Sequence, residues 1–250
     1  MAPDSLQIMG NDFFRFKQFT VGQGGAAMKV GVDSVLLGAW VGTGKASRIL
    51  DVGSGTGLLA LMMAQRCPDA AIDAVEIDGD AHRQAVENVA NSPWENRIRL
   101  FCEDFFDFAE HCITRYDLLV SNPPYFTASL KPSDRKRNIA RHNDSLPVRR
   151  FVAESAKLLA PDGRLAVVLP PAEASVLINE AASRHLPVKR TLHVQTLPAK
   201  PVYRILVELS KTTPLSCGEG AGERLCIEKA DRSDYTDEYK QLTKDFYLKF

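Results

Sequence analysis

The sequence predicts an α/β protein in which a mostly parallel β-sheet carries helices on both faces. Short apolar segments alternate with helical patterns from about residue 48 to residue 169, as is typical of strands joined by crossover helices. The predicted strands are almost continuously apolar, like those of parallel sheets that are buried on both faces. A glycine-rich turn follows the first strand, at the carboxyl edge where such sheets bind ligands. We therefore expect right-handed crossovers and a binding crevice at the carboxyl ends of the strands.

The segment before the first of these strands contains a hairpin-like stretch and one helix. Residues 13–19 alternate imperfectly between aromatic and polar side chains and indicate a short strand or hairpin arm. Asp33 or Ser34 can cap the helix that follows, and a Gly-Thr-Gly sequence at 42–44 ends it. The apolar face of this helix consists of Val35, Leu36, Leu37 and Trp40. We divide the chain into an N-terminal extension with this helix, residues 1–45, packed on a core domain of residues 46–250.

Strand and helix patterns follow one another along the core domain. Strands are predicted at residues 48–52, 70–77, 98–103, 116–121, 164–169, 188–194 and 204–209, with another possible strand at 225–227. Helices are predicted at residues 58–66, 81–91, 105–112, 147–159, 172–184 and 236–248. The sequence Ala-Pro-Asp-Gly at 160–163 is typical of a turn and is expected to end the helix before it.

The composition argues against several classes of protein. The 250 residues carry a formal net charge of zero, so any attraction for nucleic acid must come from local clusters of basic residues. Five cysteines stand at positions 67, 102, 112, 217 and 226; their spacings do not suit zinc, and their odd number favours a reducing cytoplasm. No apolar stretch reaches the roughly 20 residues of a membrane span, and no secretion signal is apparent. We expect a cytoplasmic protein that binds neither a metal nor a membrane.

A glycine-rich turn with the sequence Asp-Val-Gly-Ser-Gly-Thr-Gly follows the first strand. Its G-x-G-x-G spacing differs from the dinucleotide fingerprint, and no Gly-Lys-Ser/Thr sequence follows to make a phosphate loop. Glycines let a ligand lie against the backbone, and Asp51 can hold a cationic or hydrogen-bond-donating group. The turn therefore indicates a site for an amino-acid tail, with Asp51, Gly53, Ser54, Gly55 and Gly57 as candidate binding residues. A plain strand-to-helix turn without a ligand is the alternative.

Acidic residues also close the next two predicted strands. Glu76 lies about 25 positions after Asp51, close to the separation at which a carboxylate reaches a ribose diol. Asp104 can accept a hydrogen bond from the exocyclic amine of an adenine, with Ile77 and Phe105 on the two faces of the ring. Each carboxylate by itself is more often a helix cap or a solvated loop residue. Together with the glycine turn, however, they favour an adenosine that bears an amino-acid tail.

The sequence after the strand at 116–121 is Asn122-Pro123-Pro124-Tyr125-Phe126. The successive prolines restrict the backbone to extended conformations and so predict a rigid loop at the edge of the sheet. The side-chain carbonyl of Asn122 and the main-chain carbonyl of Pro123 can accept both hydrogens of an NH2 group, while Tyr125 can stack on a base for roughly 1–3 kcal/mol. Asn122, Pro123 and Tyr125 are thus candidate catalytic residues, and Tyr125 and Phe126 candidate substrate contacts. A proline-stiffened turn without chemistry is the alternative.

These motifs together resemble those of S-adenosylmethionine-dependent amino methyltransferases of the Rossmann-like class I. The whole chain is more narrowly similar to the bacterial tRNA1(Val) (adenine-N6)-methyltransferase family. Besides the glycine turn, Glu76 and Asp104, the stretches that carry this resemblance are residues 16–19, 28–40, 58–66, 91–94, 121–125 and 235–248. They extend from near residue 13 almost to the end, so the similarity covers nearly all of the chain.

The resemblance implies a seven-stranded, mostly parallel sheet in which the last strand is antiparallel. It also implies S-adenosylmethionine as cofactor, S-adenosylhomocysteine as product, and methylation of the N6 amine of the adenosine just 3′ of the anticodon in tRNA1(Val). Lys29 and Asp33 belong to one of the similar stretches, and we expect them near the amino-acid tail of the cofactor, although Asp33 can also be a helix cap. Asn122 is expected to contact the cofactor as well as the substrate.

The segment that follows the Asn-Pro-Pro-Tyr sequence is strongly basic. Residues 131–150 contain seven Lys and Arg against two Asp, an excess of five positive charges in a neutral chain. A basic loop at 127–146 is placed to grip the phosphates around a nucleotide that is flipped out of its RNA. Its candidate RNA-binding residues are Lys131, Arg135, Lys136, Arg137 and Arg141. An ordinary solvated loop is the alternative.

Three other functions are compatible with parts of this pattern. A protein glutamine-amide N5 methyltransferase also presents an NH2 group to Asn-Pro-Pro-Tyr, but such enzymes usually carry a helical N-terminal substrate domain, for which the roughly 45 residues here are too few. A DNA adenine methyltransferase generally needs extra protein to read the major groove. A non-catalytic RNA-binding subunit with the same fold would not need to retain Gly53, Gly55, Asn122 and Tyr125.

Overall fold

The structure, a computed structural model, describes residues 12–24, 30–123, 148–212 and 222–250. The strands are β1 (Phe13–Arg15), β2 (Thr20–Gly22), β3 (Arg48–Val52), β4 (Ala71–Glu76), β5 (Ile98–Cys102), β6 (Tyr116–Ser121), β7 (Leu159–Leu169), β8 (Val188–Gln195), β9 (Arg204–Ser210) and β10 (Glu223–Cys226). The helices are α1 (Val32–Trp40), α2 (Leu58–Arg66), α3 (Gly79–Ala90), α4 (Phe105–His111), α5 (Val148–Leu158), α6 (Pro171–Ala182) and α7 (Asp237–Thr243), with a short 3-10 turn at Glu95–Arg97.

The main sheet confirms the expected fold class, with one strand more than the seven that the resemblance implies. Its order is β10-β8-β9-β7-β6-β3-β4-β5. The five strands β3 to β7 are parallel, and β9 lies antiparallel between β7 and β8. The expected seven strands are all present, but β10 pairs in parallel with β8 and brings the sheet to eight. The eighth strand covers backbone groups along the outer edge of β8 that would otherwise lack partners in the sheet.

The predicted turn at residues 160–163 is instead part of a strand. Helix α5 ends at Leu158 and β7 begins at Leu159, which pairs with Tyr116 before the register shifts and Arg164 pairs with Leu118. A Cβ on Gly163 would lie 2.8 Å from the carbonyl oxygen of Tyr116, so the backbones approach too closely for any side chain. The Pro-Asp-Gly sequence therefore belongs to an irregularity within the strand rather than to a turn that precedes it.

Alternate side chains of the central strand β3 belong to two separate hydrophobic clusters. Ile49 lies in a cluster with helices α1 and α2, whereas Leu50 and Val52 lie in a cluster with α4, α5 and α6. This alternation follows from the two-residue period of a strand. It confirms a sheet with helices on both faces. Within the described ranges, no helix combines the length and the apolar character needed to cross a bilayer.

The N-terminal hairpin and α1 pack against the same core as the C-terminal segment. The rings of Phe16 and Phe19 are stacked with their centroids 4.6 Å apart, and both residues are buried in the α1–α2 cluster. Tyr239 and Phe246 from the end of the chain lie in that cluster too. The main-chain N–H of Lys17 donates to the carbonyl of Phe246 at 2.8 Å. The described part of the first 45 residues therefore shares a core with the sheet, while the division of the chain at residue 45 stays a prediction.

Candidate active site

The loops that follow β3, β4 and β6 are joined by hydrogen bonds at the carboxyl edge of the sheet. The buried hydroxyl of Ser121, the last residue of β6, donates to the carbonyl of Val52 at 2.7 Å. The main-chain N–H groups of Gly53 and Ser54 donate to the carbonyl of Val75 at 2.9 and 3.1 Å. These contacts fix the strand ends against one another. The residues that follow β3 and β6, Gly53 and Asn122, therefore start at the same edge of the sheet.

The glycine turn leaves open space where side chains would stand. Gly53 and Gly55 have φ values of 69° and 55°, in the left-handed region that favours glycine. A Cβ placed on either residue would meet no other atom within 4 Å. The backbone of this turn is therefore open to a ligand that lies directly against it, as the sequence predicts.

Asp51 lies beneath this turn and is completely buried. One carboxylate oxygen, Oδ2, accepts a hydrogen bond from the main-chain N–H of Ala60 in the first turn of α2 at 2.9 Å. The other oxygen, Oδ1, and the Oγ of Ser54 are buried without a hydrogen-bond partner among the residues that the structure describes. Burial, together with the negative charge of Glu76, raises the pKa of Asp51 to about 7. The carboxyl end of β3 thus carries two buried polar atoms whose hydrogen bonds the described residues leave unmade.

Glu76 links the end of β4 to the glycine turn. Its Oε2 accepts from the main-chain N–H of Gly55 at 2.7 Å, and its Oε1 accepts from the N–H of Asp78 at 2.8 Å. A carboxylate oxygen can accept a second hydrogen bond, so both oxygens remain able to accept from a diol. The contact with a ribose stays a prediction, but Glu76 stands beside the turn, as that prediction requires.

The three residues predicted to hold an adenine differ in their surroundings. Ile77 is 55% exposed and presents an apolar surface to solvent. Asp104 caps α4, with its side chain accepting from the N–H of Phe106 at 2.6 Å, so the helix-cap alternative describes its contact here. The ring of Phe105 is 5% exposed and packs against Phe106 and Phe151 in the core. Their roles in adenine binding stay predictions, and Phe105 offers little free ring surface for one.

Asn122 lies next to the glycine turn and is held by α1. Its Nδ2 donates to the hydroxyl of Ser34 at 2.8 Å. The two residues line a cavity of about 60 Å³ together with the start of α1 and the glycine turn. The complete lining is Val30, Gly31, Ser34, Gly53, Ser54, Gly55, Thr56, Leu58, Leu59 and Asn122. The structure therefore brings Asn122, the first residue of the Asn-Pro-Pro-Tyr motif, and the candidate cofactor turn to the same cavity.

Two polar residues of this site had no functional prediction. Ser34 was predicted only as a possible helix cap, and its contact with Asn122 joins positions 88 apart in the chain. Asn88 of α3 is buried and donates to the carbonyls of Thr56 and Gly22 at 2.9 and 3.0 Å, so it links the glycine turn to the N-terminal hairpin. The sequence signal for Asn88 is a polar residue on the buried face of α3, next to Ala85 and Val89.

Other predicted residues lie away from this cavity or outside the described chain. Asp33 forms an ion pair with Arg204 of β9, with 2.6 Å between Oδ2 and Nε, and does not line the cavity. Pro123 is buried and follows Asn122 directly. Lys29, Tyr125, Phe126, Lys131, Arg135, Lys136, Arg137 and Arg141 lie outside the described residues. In the ranges that the structure covers, no group of His, Cys, Asp or Glu is arranged to hold a metal ion.

Known proteins resemble this chain over most of its length. The family model described as "Methyltransferase small domain" matches residues 27–191. A protein of Parabacteroides distasonis named tRNA1(Val) (adenine(37)-N6)-methyltransferase is 48% identical over 241 residues, which are 96% of this chain and the whole of the relative. Proteins of the same name from Trichodesmium erythraeum and Serratia proteamaculans are 44% and 42% identical, covering 97% and 94% of this chain and 100% and 89% of the relatives.

Solved structures resemble the fold at low sequence identity. The crystal structure of a predicted O-methyltransferase from Agrobacterium tumefaciens aligns with a TM-score of 0.66 at 17% identity, over 86% of this chain and 96% of its own. A putative class I S-adenosylmethionine-dependent methyltransferase from Listeria monocytogenes aligns with a TM-score of 0.54 at 15% identity, over 84% of this chain and 65% of its own. These similarities confirm the class I methyltransferase fold, and the near full-length sequence identities place the chain in the tRNA1(Val) (adenine(37)-N6)-methyltransferase family.

Proposed function

We propose that this protein transfers a methyl group from S-adenosylmethionine to the exocyclic N6 amine of the adenosine just 3′ of the anticodon in tRNA1(Val). The proposal rests on one observation: Asn122 lines the same cavity as Gly53 and Gly55. It joins the motif that can hold an amine to the turn that can hold the cofactor. Membership of a family whose curated relatives carry this activity in their names supports the choice of substrate.

The described residues fit the cofactor. The open space over Gly53 and Gly55 accommodates its amino-acid tail, whose ammonium and carboxylate can satisfy the buried Oδ1 of Asp51 and Oγ of Ser54. Glu76 is placed to accept from the ribose hydroxyls beside Gly55. When bound, the cofactor supplies a methyl group on a positively charged sulfur. From the sequence, we also propose that the tail contacts Lys29 and Asp33. The adenine is proposed to contact Ile77, Asp104 and Phe105.

Asn122 and Pro123 act on the amine of the substrate. The Oδ1 of Asn122 and the carbonyl of Pro123 accept its two N–H hydrogens and hold its lone pair in line with the methyl carbon. With the cofactor bound, its sulfur would supply the methyl group as the C–S bond gives way to a new N–C bond, and the nitrogen would release one proton to water. Catalysis thus consists of positioning and electrostatic stabilisation by fixed acceptors. No strong base is needed because the proton leaves after transfer.

RNA recognition is proposed from the sequence that follows. Tyr125 and Phe126 supply ring faces next to Asn122 for a base that leaves its stack, a smaller cost in an RNA loop than in a duplex. Lys131, Arg135, Lys136, Arg137 and Arg141 attract the flanking phosphates. A tRNA substrate and unpaired cysteines among the described residues are in keeping with a cytoplasmic protein.

The test is methylation of defined substrates with labelled S-adenosylmethionine. tRNA1(Val) from a strain that lacks this activity is expected to gain one methyl group, located by mass spectrometry as N6-methyladenosine 3′ of the anticodon. The same tRNA with guanosine at that position is the matched control and is expected to remain unmodified. Methylation of a glutamine-containing protein or of duplex DNA instead, or the absence of any cofactor binding, would contradict the proposal and favour one of the other functions.

A further inference from the structure

We propose that Ser34 is a positioning residue for methyl transfer: its hydroxyl holds the side-chain amide of Asn122 so that Oδ1 faces the amine of the substrate. The inference rests on the proposed function and concerns a residue outside the Asn-Pro-Pro-Tyr motif. It assigns to α1 a part in the chemistry of a loop that follows β6.

The geometry comes from a rigid helix that reaches the catalytic loop. Ser34 is the third residue of α1 and lies half-buried at the cavity, where its Oγ accepts the hydrogen bond from Nδ2 of Asn122 at 2.8 Å. Every residue of α1 after Ser34 is buried, which fixes the helix against the core. The neighbouring Asp33 ties the start of the helix to Arg204. Ser34 therefore offers Asn122 a fixed partner.

A fixed partner for Asn122 matters because the oxygen end of its amide accepts hydrogen bonds, whereas the nitrogen end donates them. The Asn122 side chain has one acceptor oxygen and one NH2 group that only donates. If the amide turned over, its NH2 would face the NH2 of the substrate, two donors would oppose each other, and the hydrogen bond that holds the amine would no longer form. In the structure the contact with Ser34 occupies Nδ2 and leaves Oδ1 for the substrate. Because a serine hydroxyl can also donate, Ser34 fixes the place and plane of the amide, and the NH2 group of the substrate selects the end that faces it. A carboxylate at position 122 has two acceptor oxygens, so its orientation would not matter.

This asymmetry yields a kinetic test with Ser34→Ala, Ser34→Thr and Asn122→Asp. Ser34→Ala is expected to lower kcat roughly 10- to 100-fold, as a misplaced reacting group does, while the KM for the cofactor changes less than about threefold. Ser34→Thr keeps the hydroxyl and is expected to restore kcat. In the Asn122→Asp background, Ser34→Ala is expected to have little further effect, as for two groups that act through one contact; the change in kcat without a change in the KM for the cofactor is what a merely structural role would not produce. Ser183→Ala, which removes an exposed helix hydroxyl at the end of α6, is the matched control.

A second measurement does not depend on activity. In protein labelled with ¹⁵N-asparagine, the side-chain NH2 signals of Asn122 are identified by their loss in Asn122→Asp. Their exchange with water is expected to be slower in the wild type and in Ser34→Thr than in Ser34→Ala. Equal exchange rates and unchanged chemical shifts in Ser34→Ala would overturn the inference, as would an unchanged kcat. A wild type that methylates no tRNA would contradict the proposed function instead, while the exchange measurement would still decide the role of Ser34.

Discussion

The carboxylate of Glu76 accepts a hydrogen bond from the main-chain N–H of Gly55 at 2.7 Å. The residue that closes β4 is thereby tied to the turn that follows β3, and Glu76 is buried at this contact. The residue predicted to bind the ribose and the turn predicted to bind the amino-acid tail are therefore joined directly by a hydrogen bond.

Removal of the Glu76 carboxylate is expected to weaken cofactor binding. Glu76→Ala should raise the Kd for S-adenosylhomocysteine roughly 10- to 100-fold, because hydrogen bonds to a charged group contribute about 1.5–3 kcal/mol, and Glu76→Gln should have a smaller effect. Isothermal titration calorimetry measures both. Glu103→Gln is the control, since Glu103 follows the neighbouring strand but its carboxylate lies 3.6 Å from His111. If Glu76→Ala and Glu103→Gln bound S-adenosylhomocysteine equally well, Glu76 would not be the residue that contacts the ribose.

A methyl group on Gly55 is expected to occupy the space proposed for the cofactor. Gly55→Ala places it in an open position at a φ of 55°, which strains an L-residue by about 1–2 kcal/mol. We expect a large loss of affinity for S-adenosylhomocysteine and a smaller loss of thermal stability. Gly79→Ala at the start of α3 is the matched control, because its Cβ would make an ordinary 3.6 Å contact with Arg83. Normal cofactor affinity in Gly55→Ala would contradict binding against this turn.

The raised pKa of Asp51 predicts a stability that falls with pH. Between 3.8 and about 7, the native state keeps a proton that the unfolded state releases, so the free energy of unfolding decreases with pH and levels off above about 7. Three pKa units correspond to roughly 4 kcal/mol. Urea unfolding at several pH values measures this contribution as the difference from Asp51→Asn, which does not titrate. Wild-type and Asp51→Asn curves that run parallel across this range would contradict it.

Loss of the Asn122 side chain is expected to separate binding from catalysis. Asn122→Ala should abolish turnover because one of the two acceptors for the amine is missing, while the Kd for S-adenosylhomocysteine stays nearly unchanged. Calorimetry and methyl-transfer assays on the same preparation provide both values. Asn91→Ala at the end of α3, where Nδ2 bonds only its own helix carbonyl at 2.7 Å, is expected to remain fully active. Turnover that survives in Asn122→Ala would refute the proposed role.

The basic segment is expected to determine the salt dependence of RNA binding. Replacing Arg135, Lys136 and Arg137 with Ala should weaken binding and flatten the plot of log K against log salt by roughly 0.7–0.9 for each phosphate that the protein no longer neutralises. Filter binding at several salt concentrations gives the slope. A control with the same change in charge replaces Arg83, Lys157 and Lys240, each of which already pairs with a carboxylate. If both triple variants kept the wild-type slope, the basic segment would have no part in RNA binding.

Local patterns predicted most elements of the fold, and the exceptions have a physical cause. Strand β6 begins and ends where the sequence predicts it, because its apolar residues 118–120 are buried on both faces and leave a continuous signal. Strand β10 overlaps the possible strand predicted at 225–227, but only its pairing with β8 makes it the edge strand of the main sheet. The Ala-Pro-Asp-Gly sequence at 160–163 has the local pattern of a turn. It becomes part of β7 because the flanking residues of that strand pair with β6.

By itself, the sequence determined the class of fold, the glycine turn and the Asn-Pro-Pro-Tyr motif, because each depends on neighbouring residues whose backbone preferences and periodicity are local. Tertiary packing alone set the contacts between distant residues: the Ser34 side chain with that of Asn122, the Asn88 side chain with the main-chain carbonyl of Thr56, and Asp33 with Arg204 rather than with the cavity. It also placed the ring of Phe105 in the core. Such contacts join residues far apart in the chain, and the packing of helices against the sheet, which no single segment encodes, brings them together.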